Sequence, residues 1–195
     1  STCGGRTAGY GDIWDGIPPP YLVPVDDGAG TEDLSGDSNV KRFLSGASAH
    51  CKNSKYFRWE KTYTYEQLLG ILKQTIPEFT NNPDLTVNAL KGISVESRAP
   101  SGRVQSMVID TDAGSFRFEK DTIRWVLGNL KSTLFILEVR GSGDGRSYKF
   151  TGAGWGHGVG LCQIGAMTLA RDHKYTCDAI LRHYYPGATI STLWK

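Results

Sequence analysis

The residues best suited to chemistry sit in one glycine-rich run, Gly152-Ala-Gly-Trp-Gly-His-Gly-Val-Gly-Leu-Cys-Gln-Ile-Gly-Ala166. Glycine holds every second position from 152 to 160, so one edge of the run carries no side chains and lets a polymer or another backbone lie against it. Trp155 and His157 are the large side chains there. The helix expected to follow presents free backbone amides at its start. A nucleotide loop would use the same glycines, but the Gly-Lys-Ser/Thr ending of a phosphate loop is missing, and so is a surrounding βαβ unit. On spacing alone, a hydrogen-bonding role explains His157 as well as a catalytic one does.

Cys3, Cys51, Cys162 and Cys177 contain no C-x-x-C pair, which excludes a zinc ribbon and a thioredoxin motif. Disulfides, a Cys/His metal site and buried free thiols all stay open. Glu96, Glu119 and Glu138 alternate with apolar neighbours in strand-like runs and read as solvated faces. Glu60 and Glu66 flank a helix start, where negative charge is stabilising anyway. Asp12 and Asp15 lie in a loop near the N-terminal residues. A free Ser1 or Thr2 could in principle act as a nucleophile with the α-amino group as base, which is the weakest of these readings.

The elements that must position these groups fit one domain. The chain has 195 residues, 39% hydrophobic and 22% charged, with 5 Trp, 9 Tyr and 7 Phe, enough for a packed core rather than a disordered chain. A net charge of +2 gives no ground for a nucleic-acid partner. No apolar run approaches the ~18 residues of a membrane span. The chain begins at Ser1 without a Met, so it reads as a mature or truncated product, and a missing signal peptide says nothing about secretion.

Residues 56 to 62 alternate as a strand. Thr64 and Gln67 form a capping box for a helix carrying Leu68, Leu69, Ile71, Leu72 and Ile76 inward, with Pro77 as its stop. Strands are expected over 92–98, 103–110 and 115–119, then a short helix capped by Asp121 and ended by Gly128. A hairpin joins 134–140 to 146–151. Helices follow over about 161–172 and from Thr176 to before Pro186, then a last strand over 188–193. Residues 26–50 read as a polar loop insertion. The class is α+β, mainly antiparallel hairpins with three or four helices.

The thirteen residues Gly154 to Ala166 resemble the hallmark of the stage II sporulation protein D / LytB family, whose members act on bacterial peptidoglycan. Ser1-Thr-Cys-Gly-Gly-Arg-Thr7 resembles that family's Ser-x-Gly-Gly-x-Thr segment, and Asp12-Ile-Trp14 and Pro20-Tyr-Leu22 the residues after it. Cys51, Asn53-Ser54 and Trp59 resemble a segment of cysteine-bearing members. Gly92-Ile-Ser94, Gly102-Arg-Val104 and Phe116 to Trp125 resemble the central hairpins, and Tyr184-Tyr-Pro-Gly187 the end of the C-terminal helix.

The resemblance implies one domain over 1–195 that binds glycan strands and, in cleaving members, acts as a lytic transglycosylase leaving 1,6-anhydro-muramic ends. The family's acid is a Glu in a Glu-Met-Pro-type segment upstream of Ser-x-Gly-Gly. This chain starts after that segment, so it is expected to hold about the C-terminal two thirds of the family domain and to be inactive alone, with the upstream part as a possible second chain. No catalytic residue is then expected here. His157 and Gln163 would support the missing acid, while Thr2, Gly4, Gly5, Trp155, Gly156 and Gly158 would meet sugar. The alternatives are a non-catalytic amidase enhancer with a cell-wall amidase as partner, or a wall-binding module. No cofactor is implied as required. A structural zinc on Cys3, Cys51, Cys162 and His157 or His50 competes with a Cys3–Cys51 disulfide and with free thiols. The implied place is extracytoplasmic, in the bacterial envelope or secreted.

Overall fold

The computed structural model describes residues 1–191. Among the described residues five α-helices and two antiparallel three-stranded sheets make the class α+β. In chain order they are α1 (Asp37–Ser45), β1 (Arg58–Thr64), α2 (Tyr65–Phe79), β2 (Leu90–Arg98), β3 (Val104–Thr111), β4 (Gly114–Glu119), α3 (Thr122–Val126), β5 (Phe135–Arg140), β6 (Ser147–Ala153), α4 (Gln163–Arg171) and α5 (Cys177–Tyr184). One sheet has the order β1-β6-β5 and the other β2-β3-β4.

The main core lies between α2, α3 and the two sheets. Period-two burial turns Trp59 and Tyr63 of β1, Tyr148 and Phe150 of β6 and Met107 and Ile109 of β3 inward. Tyr65, Leu68, Leu72 and Ile76 meet them at helical spacing from α2. The α2 capping box forms as expected: Gln67 N–H donates to Thr64 Oγ1 at 3.2 Å, and Thr64 N–H donates to Gln67 Oε1 at 3.1 Å. Pro77 does not stop α2, which runs to Phe79. In the last turn a missing N–H costs a single bond, and the Thr80 N–H and hydroxyl both close onto the Ile76 carbonyl.

Four further expectations shift. Residues 26–50 are not an open loop: α1 buries Val40 and Phe43 against Leu34, Leu134 and Ile136. Asp121 precedes α3 but does not cap it, because its carboxylate is taken by Arg124 Nη1 at 3.1 Å. The helix expected over 161–172 is shorter at both ends, with Cys162 as its cap. The last strand is absent over 188–191, and the rest of it lies outside the described residues. No helix among the described residues is long and apolar enough to cross a membrane.

Candidate functional site

The glycine run is clasped by the chain's own N-terminal segment. Thr2 and Trp155 pair as an antiparallel bridge, with Trp155 N–H donating to Thr2 O at 2.8 Å and Thr2 N–H to Trp155 O at 3.3 Å. Ala8 N–H donates to Gly158 O at 2.8 Å. A Cβ on Gly4 would stand 2.7 Å from the backbone of Ala153 and Gly154, and one on Gly154 2.8 Å from the carbonyl oxygens of Thr2 and Cys3. A Cβ on Gly5 would meet Ala29 at 2.8 Å, and one on Gly158 would run into the Arg103 guanidinium at 2.0 Å. At Gly4, Gly5 and Gly158 the protein itself therefore fills the place of a side chain. Gly156 faces open space, its nearest neighbour being Ser1 Cβ at 3.8 Å. The Thr2 hydroxyl is buried and finds no partner among the described residues, so Thr2 contributes its backbone to the clasp.

Arg103 fastens the clasp from beneath. It is buried, and its guanidinium donates to the carbonyls of His157 at 3.2 Å, Arg6 at 3.3 Å and Cys3 at 3.4 Å. Arg58 does the same on the other flank, donating to the carbonyls of Gly4, Phe43, Leu44, Gly46 and Phe57. Sequence reasoning missed both, since a buried arginine in a strand or turn has no local signature.

The outward side is aromatic. Trp155 is 46% exposed and packs its ring on Tyr56, with centroids 4.7 Å apart. Lys55 Nζ and Lys131 Nζ approach the Tyr56 ring at 4.9 and 5.4 Å. Trp14, 40% exposed, lies 5.0 Å from the His157 ring and 5.4 Å from Tyr10. The two ring groups flank Gly156. Gln163, at the start of α4, accepts a hydrogen bond through Oε1 from the Ser1 amino group.

His157 Nδ1 accepts the Val159 N–H at 3.0 Å, which puts the proton of the neutral ring on Nε2. Burial, more than the nearby charges, holds the His157 pKa below its ordinary value. A depressed pKa contributes stability that is present above the unfolded value of about 6.5 and lost as pH falls through the folded one. His157→Gln keeps an acceptor for Val159 and removes the titration. Urea midpoints at pH 7.5 and pH 5 should therefore differ less for the variant than for the parent.

Three of the cysteines converge with a carboxylate that the sequence did not flag. Cys3, Cys51, Cys162 and Asp27 are all buried, and one ligand atom from each lies within 4.8 Å of every other. Cys3 Sγ is 3.8 Å from Cys51 Sγ and 3.2 Å from Asp27 Oδ2. The Cys3–Cys51 disulfide weighed from the sequence is not formed; all four cysteines are free. His157 and His50 are not in the group: His157 turns to Trp14, while His50 meets His173 edge-on at 5.3 Å and His183 edge-on at 6.0 Å. Cys177 is exposed and apart. Burial pushes the Cys3 thiol up, and the hydrogen bond to Cys162 pushes Cys51 up to about 12. The Asp27 carboxyl rises to about 7, chiefly through burial. Hydrogen bonds from Cys3 and Cys51 hold the Cys162 thiol well below its ordinary range.

The other carboxylates weighed from the sequence are engaged elsewhere. Glu60 pairs with Lys149, Glu96 and Glu119 with Arg117, and Glu138 with Arg140, all at the surface. Asp15 pairs with Lys120, and Asp12 accepts from the Ser101 hydroxyl and the Gly9 N–H. Glu66 lies in the first turn of α2.

Comparison with known proteins agrees with the motif reading. A family described as a domain of unknown function (DUF8618) matches residues 8–160. The amidase enhancer of Bacillus subtilis (strain 168) is 24% identical over 213 aligned positions, covering 98% of this chain and 29% of that protein. Stage II sporulation protein D of Bacillus amyloliquefaciens is 28% identical over 154 positions, covering 78% of this chain and 41% of that protein. The stage II sporulation protein D of Bacillus subtilis (strain 168) is 44% identical over 48 positions, a quarter of this chain. The chain thus spans less than half the length of these curated relatives.

Proposed function

The chain belongs to the family described as a domain of unknown function (DUF8618), with curated relatives named stage II sporulation protein D and amidase enhancer, and from that premise we propose that it docks peptidoglycan glycan strands for lytic cleavage. The observation that supports this most directly is the pair of ring contacts made by the two residues flanking Gly156 in the chain, His157 with Trp14 and Trp155 with Tyr56. Exposed aromatic surface that could have been buried marks a binding face. A pyranose ring has an apolar face of C–H bonds that stacks on Trp155. Lys55 and Lys131 beside it attract the carboxylates of muramic acid and its stem peptide.

Cleavage of a glycosidic bond needs an acid to protonate the leaving oxygen. In lytic transglycosylation the muramic acid 6-hydroxyl then attacks C1 and gives up its proton, so one carboxyl serves first as acid and then as base. We assign that carboxyl to a Glu outside these residues. In this reading His157 Nε2–H and the Gln163 carboxamide hold that carboxyl or the sugar. Such work is done outside the cytoplasmic membrane, in the envelope or after secretion.

A pull-down on purified sacculi tests the docking. Trp155→Ala should weaken binding about tenfold, ~1.4 kcal/mol, while Val139→Ala, exposed on β5, should not. Equal binding by parent and Trp155→Ala would sink the reading. The amidase-enhancer alternative is favoured by the relative of that name, which covers 98% of the chain. Muropeptide digestion by the protein with its upstream segment separates the two. A transglycosylase releases anhydro-muropeptides unaided, whereas an enhancer changes the products only when an amidase is added.

A further inference from the structure

The buried group of three thiols and a carboxylate is not built as an apolar core. Backbone amides point at its sulfurs: Cys3 N–H donates to Cys162 Sγ at 3.3 Å, Gly165 N–H to Cys162 Sγ at 3.4 Å, and Gly5 N–H to Cys3 Sγ at 3.4 Å. Thiol sulfur is a weak acceptor, and three amides aimed at two sulfurs suit thiolates. Cys162 also caps α4, where the helix end favours negative charge. The second oxygen of Asp27 accepts the Tyr184 hydroxyl, which fixes the carboxylate with Oδ2 turned to Cys3.

Among the described residues no positively charged group hydrogen-bonds to these sulfurs or to the Asp27 carboxylate. The guanidinium groups nearby, of buried Arg103 and half-buried Arg58, spend their N–H donors on backbone carbonyls. His183 Nε2 stands 4.0 Å from the other oxygen, Asp27 Oδ1. Ionised together as ligands, three thiolates and a carboxylate would be costly to bury without a cation, and a divalent ion is what would balance them.

The spacing agrees. Zinc–sulfur bonds of about 2.3 Å at the tetrahedral angle put two sulfurs about 3.8 Å apart, and a sulfur and a carboxylate oxygen about 3.5 Å apart. Cys3 Sγ stands 3.8 Å from Cys51 Sγ and 3.2 Å from Asp27 Oδ2. A disulfide would need about 2.05 Å and would leave the third sulfur over. Soft thiolates select zinc over magnesium or calcium, and four buried protein ligands leave no open position for catalysis.

We propose that Cys3, Asp27, Cys51 and Cys162 bind one structural zinc ion, with the Tyr184 hydroxyl orienting Asp27. The ion joins four stretches of chain: the N-terminal segment, the turn at Asp27, the turn at Cys51 and the first residue before α4. Its work is to lock the N-terminal segment onto the glycine run. The assignment is independent of what the exposed aromatic rings bind.

The test is metal content and spectrum of the purified protein. Elemental analysis should give one zinc per chain. Replacement by cobalt(II) should give thiolate-to-cobalt charge-transfer bands and strong tetrahedral visible bands. Removing an outer-shell partner of a zinc ligand costs about 10–100-fold in affinity, so Asp27→Asn, which loses a ligand, should cost at least about tenfold. It should keep the charge-transfer bands of three thiolates and alter the visible ones. Cys177→Ser should change neither. Cys162→Ser should abolish binding, and if it fails to fold, the cobalt spectra of the parent and of Asp27→Asn still decide. A protein that purifies free of zinc and binds neither zinc chloride nor cobalt chloride under reducing conditions overturns the site. An Asp27→Asn variant with the parent's cobalt spectrum and zinc affinity overturns the four-ligand assignment.

Discussion

A chelator that removes the proposed zinc should lower the thermal midpoint of the protein by roughly 8–16 °C and weaken the proposed docking to glycan. An ion that binds the folded state alone stabilises it by about 4.1 kcal/mol at a free concentration one thousand times its dissociation constant. For a chain of this length each kcal/mol moves the midpoint by roughly 2–4 °C. The loss is local before it is global. The small core around the site is made of Cys3, Ala49, Cys51, Phe57, Cys162, Leu169, Ile180 and Tyr184, so three of its members are the ligands themselves. The larger core of α2, α3 and the two sheets does not depend on them. Chelation should therefore free the N-terminal segment and the glycine run first, with the Thr2–Trp155 bridge opening before the sheets melt. Hydrogen exchange with and without chelator reads this directly. The Trp155 amide should lose protection while those of β6 keep it. Equal protection in both states, with an unmoved midpoint, would remove the ion from the account of stability.

Much of this architecture was legible because it is local. The Thr64–Gln67 box, the apolar spacing of α2 and the turn between β5 and β6 each sit within a few residues of one another, and periodicity reports such features. The glycine run was legible as a place where a backbone could approach. Which backbone does so was not, because residues 2 and 155 meet only through tertiary packing. The same limit hid Asp27. In Asp26-Asp27-Gly28 both carboxylates read as turn formers, and Asp26 is one: its Oδ1 takes the amides of Gly28, Ala29 and Gly30 at 3.0, 2.8 and 2.8 Å. Its neighbour is turned inward by Tyr184, 157 residues away. The family resemblance offers His157 as a ligand, but the four residues between it and Cys162 include two positive-φ glycines, Gly158 and Gly160, and its ring lies against Trp14 instead. Helix α1 escaped because two buried residues, Val40 and Phe43, make too short a stripe among polar ones.

Gly158→Ala should cost about 3 kcal/mol and lower the midpoint by roughly 6–12 °C, the largest effect expected of any one-methyl change in the loop. Two terms add. Gly158 has φ of +84°, a region where a side chain costs about 1–2 kcal/mol. The new methyl also falls 2.0 Å from Arg103 Nη2, and Arg103 cannot step aside. Its guanidinium is buried and ties the carbonyls of His157, Arg6 and Cys3 together. Moving it leaves buried acceptors unpaired at about 1–3 kcal/mol each. Arg103→Met alone should therefore be destabilising by a similar amount, since it removes the donors and leaves those carbonyls behind. The double variant separates the two terms. With the guanidinium gone the methyl has room, so only the backbone strain of Gly158→Ala survives, and the combined loss should fall short of the sum by about 1–2 kcal/mol. Strict additivity in chemical denaturation would mean that the glycine is required by its φ alone and that the buried arginine does not shape the loop that carries Trp155 and His157.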